Sequence, residues 1–175
     1  MDQFGPAQIA AILLLVQRGL EELYSQRNTS RLIAEGGREE GRDFYPVVAI
    51  THLAWIAALF MLVSPYAVIS IPLLVAYLVL QVVRYWVIGT LGRYWTHRII
   101  TLEKAPVVKA GPYRFVRHPN YVVTVIETFL LPSVFGAYAL GVIMGAVWTA
   151  VIAYKIGLED KALSARRKDV SAAGS

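Results

Sequence analysis

Eleven consecutive positions, Gly111-Pro112-Tyr113-Arg114-Phe115-Val116-Arg117-His118-Pro119-Asn120-Tyr121, hold two prolines, two arginines, a histidine, an asparagine and two tyrosines. Two very apolar regions flank them. Hydrophobic packing does not call for such a cluster, whereas a polar ligand does. Pro119 suits the first residue of a helix, because its missing N–H would have had no partner there, and His118 then stands at the cap. A helix start offers free N–H groups and a positive dipole end, which favour an anionic group. Arg114 and Arg117 add positive charge, and Tyr113 and Tyr121 add ring faces and hydroxyls. Such a pocket holds a carboxylate or phosphate and stacks an aromatic base. That fits a nucleotide-like or amino-acid-like cofactor without choosing between them. An interfacial belt of aromatics and arginines is the plainer alternative, but a belt needs neither the Gly-Pro turn nor His-Pro-Asn.

Two ionisable residues lie inside apolar runs, His52 and Glu127. Within a membrane such residues are candidates for function, here for contact with a substrate. For His52 an interhelical hydrogen bond explains the position equally well. Glu127 needs a partner, and the Arg or Tyr groups of 111–121 are the expected ones.

The surrounding composition is that of a membrane protein. Of 175 residues, 57% are hydrophobic, and the mean hydropathy is +0.52. Charged residues make up 17%, against about 25% in an ordinary soluble domain, and they are bunched. The +5 net charge does not indicate nucleic acid, because a nucleic-acid binder would not be this apolar. There is no cysteine, hence no disulfide framework, zinc–thiolate site or cysteine nucleophile. His52, His97 and His118 form no metal-ligand pair at helical spacing, so no metal is expected. The first apolar run follows Pro6 without a basic leader and reads as a retained helix.

The hydropathy pattern predicts an all-α integral membrane protein of about five transmembrane helices, the last two a helical hairpin, with a cofactor-binding connector before it. The first helix is expected over 7–24, with Arg18 and Glu22 pairing on one face and Arg18 reaching for the interface. A polar loop follows over 27–43, broken by Gly36-Gly37 and Gly41. The second helix spans 44–63. The third spans 66–88, kinked at Pro72, with Gln81 and Arg84 at an interface. Residues 89–120 form the long connector, into which Trp86–Ile100 is expected to carry the helix. A short helix from Pro119 to Leu131 and a run over 137–154 make the hairpin, where Gly141 and Gly145 have the small-xxx-small spacing of close helix packing. A single domain over 1–169 and a disordered tail over 170–175 complete the organisation.

Basic residues cluster in the first loop, in the connector and at the C-terminus. Five crossings with the N-terminus outside put all three clusters in the cytoplasm. The connector then meets a ligand coming from the cytosol.

The run Gly111-Pro112-Tyr113 … Arg117-His118-Pro119-Asn120-Tyr121 resembles the hallmark of the isoprenylcysteine carboxyl methyltransferase family, Gly-x-Tyr-x-x-x-Arg-His-Pro-x-Tyr. In that family a helical hairpin follows, then a basic residue with an acid four positions later; Lys155 and Glu159 have that spacing. The resemblance covers about the last 80 residues and implies S-adenosylmethionine as cofactor, held without a Rossmann domain. The absence of a Gly-x-Gly-x-x-Gly motif agrees. By resemblance, Val107, Val108, Tyr113, His118, Pro119, Asn120 and Tyr121 contact the cofactor, and Lys155 and Glu159 form the catalytic pair on the substrate side. Lys155 stands where an arginine is usual, Asp160 where a second glutamate is usual, and Val123 near the usual glycine. Lysine cannot clamp a carboxylate bidentately as arginine does.

The resemblance implies methyl transfer to an oxygen of a lipophilic or lipidated acceptor drawn from the membrane lipids, in a compact prokaryotic enzyme of the bacterial inner membrane. A carboxylate acceptor needs no base. A phenol or enol gains from one, and Glu159 is then the expected base. The alternative is an NADPH-dependent membrane sterol-type reductase, which shares a similar His-Pro-x-Tyr region.

Overall fold

In the computed structural model, the described residues are 4–103, 105–106 and 108–173, with side chains described as far as Ala162. Val107, which the family pattern places against the cofactor, lies outside them.

Among the described residues, five helices carry the fold: α1 (Pro6–Ala34), α2 (Tyr45–Leu62), α3 (Ile71–Leu91), α4 (Pro119–Val134) and α5 (Tyr138–Ala173). Four of them, α1 to α4, have a proline in the first turn, where no intrahelical N–H bond is lost. For α3 this corrects the expectation of a kink. The chain over 64–70 is not helical, so Pro72 opens the helix instead of bending it.

Three helical stretches, Arg42–Leu62, Ile71–Tyr94 and Tyr138–Ala162, are long and apolar enough to cross a membrane. Their outward faces carry Ile50, Leu53, Met61, Val75, Val82, Val142 and Ile143, all exposed. Contiguous apolar surface on this scale needs lipid around it. The chain is an all-α integral membrane protein with one small strand pair. α4, at 16 residues, is about 24 Å long and shorter than a ~30 Å hydrocarbon core.

α1 departs most from the sequence reading. It runs ten residues beyond the expected end at Tyr24, through the first part of the segment read as loop. Its buried residues explain why: Ala7, Ala11, Leu14, Arg18, Glu21, Ser25, Asn28 and Leu32 alternate steps of four and three, one continuous stripe facing the other helices. The stripe turns from apolar to polar halfway, but its partners persist. Asn28 Nδ2 donates to the carbonyls of Gly92 and Trp95 at 3.1 and 2.8 Å, and the Thr29 and Thr96 hydroxyls lie 2.7 Å apart. Gly36, at φ +93°, then ends the helix region.

The connector likewise departs from an extended helix. α3 stops at Leu91, and Gly92 takes φ +51°. Strand β2 (Ile99–Thr101) pairs antiparallel with β1 (Arg38–Glu40), Glu39 opposite Ile100. This ribbon ties the connector to the end of α1.

Arg18 and Arg84 are not interfacial. Arg18 is buried and bonds Glu21 and Glu127, while Arg84, 2% exposed, donates to Glu21 from Nε and Nη2 at 2.8 and 2.6 Å. The partners of Glu127 are therefore Arg18, Arg84, Gln81 and Tyr77, from α1 and α3 and not from 111–121. Two arginines and two glutamates thus form a neutral cluster joining three helices. Paired charges tolerate such burial; single ones do not.

α4 and α5 form the expected hairpin, turning at Gly136 with φ +74°. A Cβ on Gly141 would sit 2.7 Å from the Phe129 carbonyl oxygen, and one on Gly145 would sit 2.4 Å from the Phe129 ring. The small-xxx-small spacing is a backbone contact surface. α5 continues as helix to Ala173, into the segment read as a tail; residues 174–175 lie outside the described ones.

Candidate functional site

The connector, the start of α4 and the latter half of α5 enclose a cavity of about 370 Å³. That volume lies in the range of small-molecule sites. Tyr113, Arg117, His118, Asn120, Tyr121 and Glu159 all line it, and so does Val108. A 3-10 turn over Gly111–Arg114 sets Tyr113 there. Gly111 takes φ +51°, and a Cβ on it would lie 2.7 Å from the Thr90 hydroxyl, so glycine is needed for both backbone and space.

Pro119 opens α4 and is buried beneath the cavity residues. His118 occupies the cap position, but its side chain makes no cap hydrogen bond. Its ring instead stacks on Tyr121, centroids 5.2 Å apart and planes 14° apart. The Tyr121 hydroxyl donates to Glu159 Oε2 at 3.0 Å, and His118 Nδ1 lies 3.7 Å from the same oxygen. One face of α5 thereby holds two residues of the α4 start. Arg117 stands 3.8 Å from Asp160 and is largely exposed. Burial, and then the Glu159 carboxylate, push the Tyr113 phenol above its ordinary range, so it remains a hydroxyl donor at neutral pH.

Two residues that line this cavity each carry a buried polar atom with no protein partner among the described residues: His118 Nε2 and Asn120 Oδ1. Buried polar atoms are normally bonded, because leaving one unpaired costs about 1–3 kcal/mol. Unpaired atoms on residues that line a cavity of ligand size fit a ligand that carries polar groups.

Lys155 lies outside this cavity. It is buried, donates from Nζ to the His97 carbonyl at 2.7 Å, and sits 5.2 Å from the centre of the Tyr121 ring. Lys155 and Glu159, one turn apart on α5, meet at Tyr121, Lys155 over its ring and Glu159 at its hydroxyl, but only Glu159 lines the large cavity. Lys155 instead borders a very small cavity with Tyr45, His97 and Arg98.

A third space, about 280 Å³, runs between α1 and α2 and is lined mainly by apolar residues, with the exposed Leu15 and Leu53 among them. Tyr45, Val48 and His97 line both this groove and the small cavity, and Arg98 and Ile99 line both the small cavity and the large one. The three spaces lie side by side and share these wall residues. His52 borders the groove, its ring edge-on to Trp55 and Trp148 at 5.3 and 5.1 Å. Glu127 borders none of the three and is fully enclosed by its partners.

Sequence reasoning did not single out His97, Glu22, Tyr45 or Arg98 as site residues. His97 Nδ1 lies 2.8 Å from Glu22 Oε2, its backbone N–H donates to Ser25 Oγ at 2.8 Å, and the Arg98 guanidinium lies 4.4 Å over the Tyr45 ring. The paired strands and the long α1 create this arrangement, and neither was visible in the hydropathy.

The sequence profile of the isoprenylcysteine carboxyl methyltransferase (ICMT) family matches residues 71–165, more than half of the chain. The chain belongs to the ICMT family. The matched part contains the connector, α4 and the part of α5 that carries Lys155 and Glu159, so the large cavity lies mostly within it. The uncharacterized protein YpbQ of Bacillus subtilis is 30% identical over 155 residues, covering 86% of this chain and 92% of its own. An uncharacterized protein of Haemophilus influenzae is 24% identical over 148 residues, covering 80% and 84%. No solved structure matches the chain. ICMT membership makes the protein a membrane methyltransferase.

Proposed function

We propose that this protein transfers a methyl group from S-adenosylmethionine to an oxygen of a lipophilic acceptor. The observation that carries the reading is that His118 and Asn120, which line the 370 Å³ cavity, each hold a buried polar atom without a partner among the described residues, Nε2 and Oδ1. A cofactor with amino-acid and adenosine parts offers donors and acceptors to both, and ring faces to Tyr113 and Tyr121. Val108 contributes apolar wall, Pro119 sets the start of α4, and Arg117 contributes positive charge at the rim. When bound, S-adenosylmethionine supplies an electrophilic methyl group on sulfur.

The chain's own contribution is alignment and the exclusion of water. Glu159, through Tyr121 and beside His118, fixes the cofactor side. Lys155 orients the acceptor side by holding the His97 carbonyl. The acceptor enters from the bilayer along the α1–α2 groove, with His52 on its wall; Glu127 acts from behind, by holding α4 in place. The bunched basic residues of the connector support a cytoplasmic site with the N-terminus outside, and the bacterial relatives support the inner membrane.

The test is a screen of extracted membrane lipids with methyl-labelled cofactor and purified protein. Label in a lipid-soluble product, absent with His118→Ala protein, is the expected result. No transfer to any lipid fraction, from protein shown to be folded, contradicts the proposal.

A further inference from the structure

The end of the groove beside the small cavity holds a carboxylate–imidazole pair that the family motif does not include. His97 is fixed from three directions. Its ring Nδ1 meets Glu22 Oε2 at 2.8 Å, its N–H donates to Ser25 Oγ at 2.8 Å, and its carbonyl accepts from Lys155 Nζ at 2.7 Å. The Trp95 ring packs edge-on against it at 4.7 Å. Among the described residues, Nε2 has no hydrogen-bond partner, and the side chain keeps 22% exposure. With Nδ1–H donated to Glu22, Nε2 carries the free lone pair.

We propose that His97, oriented by Glu22, is the general base of this enzyme, and that its acceptors are amphiphiles bearing a phenolic or enolic hydroxyl. The proposal rests on the methyl-transfer reading above and narrows its acceptor. Of the titratable residues lining the groove, Arg18, Glu22, Tyr45, His52 and His97, only Tyr45 and His97 also line the small cavity beside Lys155. Tyr45 lies under the Arg98 guanidinium and has no lone pair basic enough at neutral pH. His52 is held between two tryptophans, with Nε2 buried. Glu159 lines the cofactor cavity and not the groove, so it stands on the wrong side of the acceptor. A carboxylate acceptor would need no such base and would be repelled by Glu22. A phenol, with a pKa of about 10, needs its proton removed as the bond forms.

In the transfer step, the hydroxyl oxygen bonds to the methyl carbon, the carbon–sulfur bond breaks with its electron pair going to sulfur, and the hydroxyl proton moves to His97 Nε2 and then to water. Burial holds His97 below the ordinary imidazole value, against the opposing pull of Glu22. It is therefore unprotonated and able to accept at neutral pH. The charged and titratable groups around it are Arg18 and Glu22 from α1, Glu39 and Glu40 from β1, Tyr45 and His52 from α2, Arg84 from α3, Lys155 from α5, and the neighbouring Arg98.

The test compares wild type, His97→Gln and Glu22→Gln in nanodiscs with three acceptors of equal chain length: an alkylphenol, an alkylnitrophenol already ionised at assay pH, and a fatty acid. We expect His97→Gln to lose about 10²-fold or more in kcat on the alkylphenol and little on the nitrophenol, while S-adenosylhomocysteine affinity is unchanged. Glu22→Gln removes the group that raises the imidazole pKa, so the acid limb of its pH–rate profile moves to lower pH. A readout without cofactor accompanies these: the bound nitrophenol ionises at lower pH in wild type than in His97→Gln, seen in its phenolate absorption. Equal loss on both phenols, no loss on either, or methylation of the fatty acid alone overturns the proposal. If wild type binds no S-adenosylhomocysteine yet ionises the nitrophenol through His97, the methyl-donor reading falls and the base remains.

Discussion

Replacing Glu127 by glutamine tests whether charge balance inside the helix bundle holds the site in place. The carboxylate is fully buried and accepts from Arg18, Gln81, Tyr77 and Arg84, the last three at 2.9, 3.4 and 3.4 Å. Glu21, 6% exposed, is the other acid facing the two arginines. Glutamine keeps the size and one acceptor oxygen but leaves two buried guanidinium groups with a single carboxylate. Breaking a buried pair in this way costs about 3–5 kcal/mol. For a chain of this length that corresponds to a fall in melting temperature of order 10 °C, read by circular dichroism in detergent. Arg18→Gln combined with Glu127→Gln restores neutrality and leaves Arg84 on Glu21. The double variant is expected to melt above Glu127→Gln alone, a coupling that only a direct interaction produces. A Glu127→Gln protein melting within about 2 °C of wild type, or a double variant that falls by the sum of both losses, would refute the charge-balance argument.

Gly141→Ala places a methyl 2.7 Å from the Phe129 carbonyl oxygen; it should separate α4 from α5 and lower stability by about 1–3 kcal/mol, measured by the same melting curve. Glu159→Gln retains an acceptor for the Tyr121 hydroxyl but removes the charge beside His118. Cofactor affinity should fall along with turnover, as calorimetry and steady-state kinetics together will show.

The parts of the fold read from hydropathy were those whose burial depends on apolar residues. α2, the α4–α5 hairpin and the glycine contact at Gly141 and Gly145 followed from apolar runs, prolines and spacing. The latter half of α1 did not, because its inward stripe passes from Ala7, Ala11 and Leu14 to Arg18, Glu21, Ser25 and Asn28. Polar residues at buried positions carry no hydropathy signal; only their four-three spacing betrays them. Arg18 and Arg84 resembled interfacial residues because Glu127, which both reach, and Glu21, which Arg84 reaches, lie on helices other than their own. The residues proposed to hold the cofactor were legible because they are nearly consecutive, and a proline marks where the helix begins. The residues proposed to face the acceptor were not, because Glu22, Tyr45 and His97 meet through a three-residue strand pair too short to show an alternating pattern.

The central claim is that the cavity bordered by His118, Asn120 and Tyr121 holds the methyl donor. Calorimetric titration of the purified protein with S-adenosylhomocysteine, and separately with NADPH, measures this most directly. The account predicts saturable binding of S-adenosylhomocysteine, none of NADPH, and clearly weaker binding by folded His118→Ala protein. Binding of NADPH alone, or an unchanged affinity in His118→Ala, would contradict it.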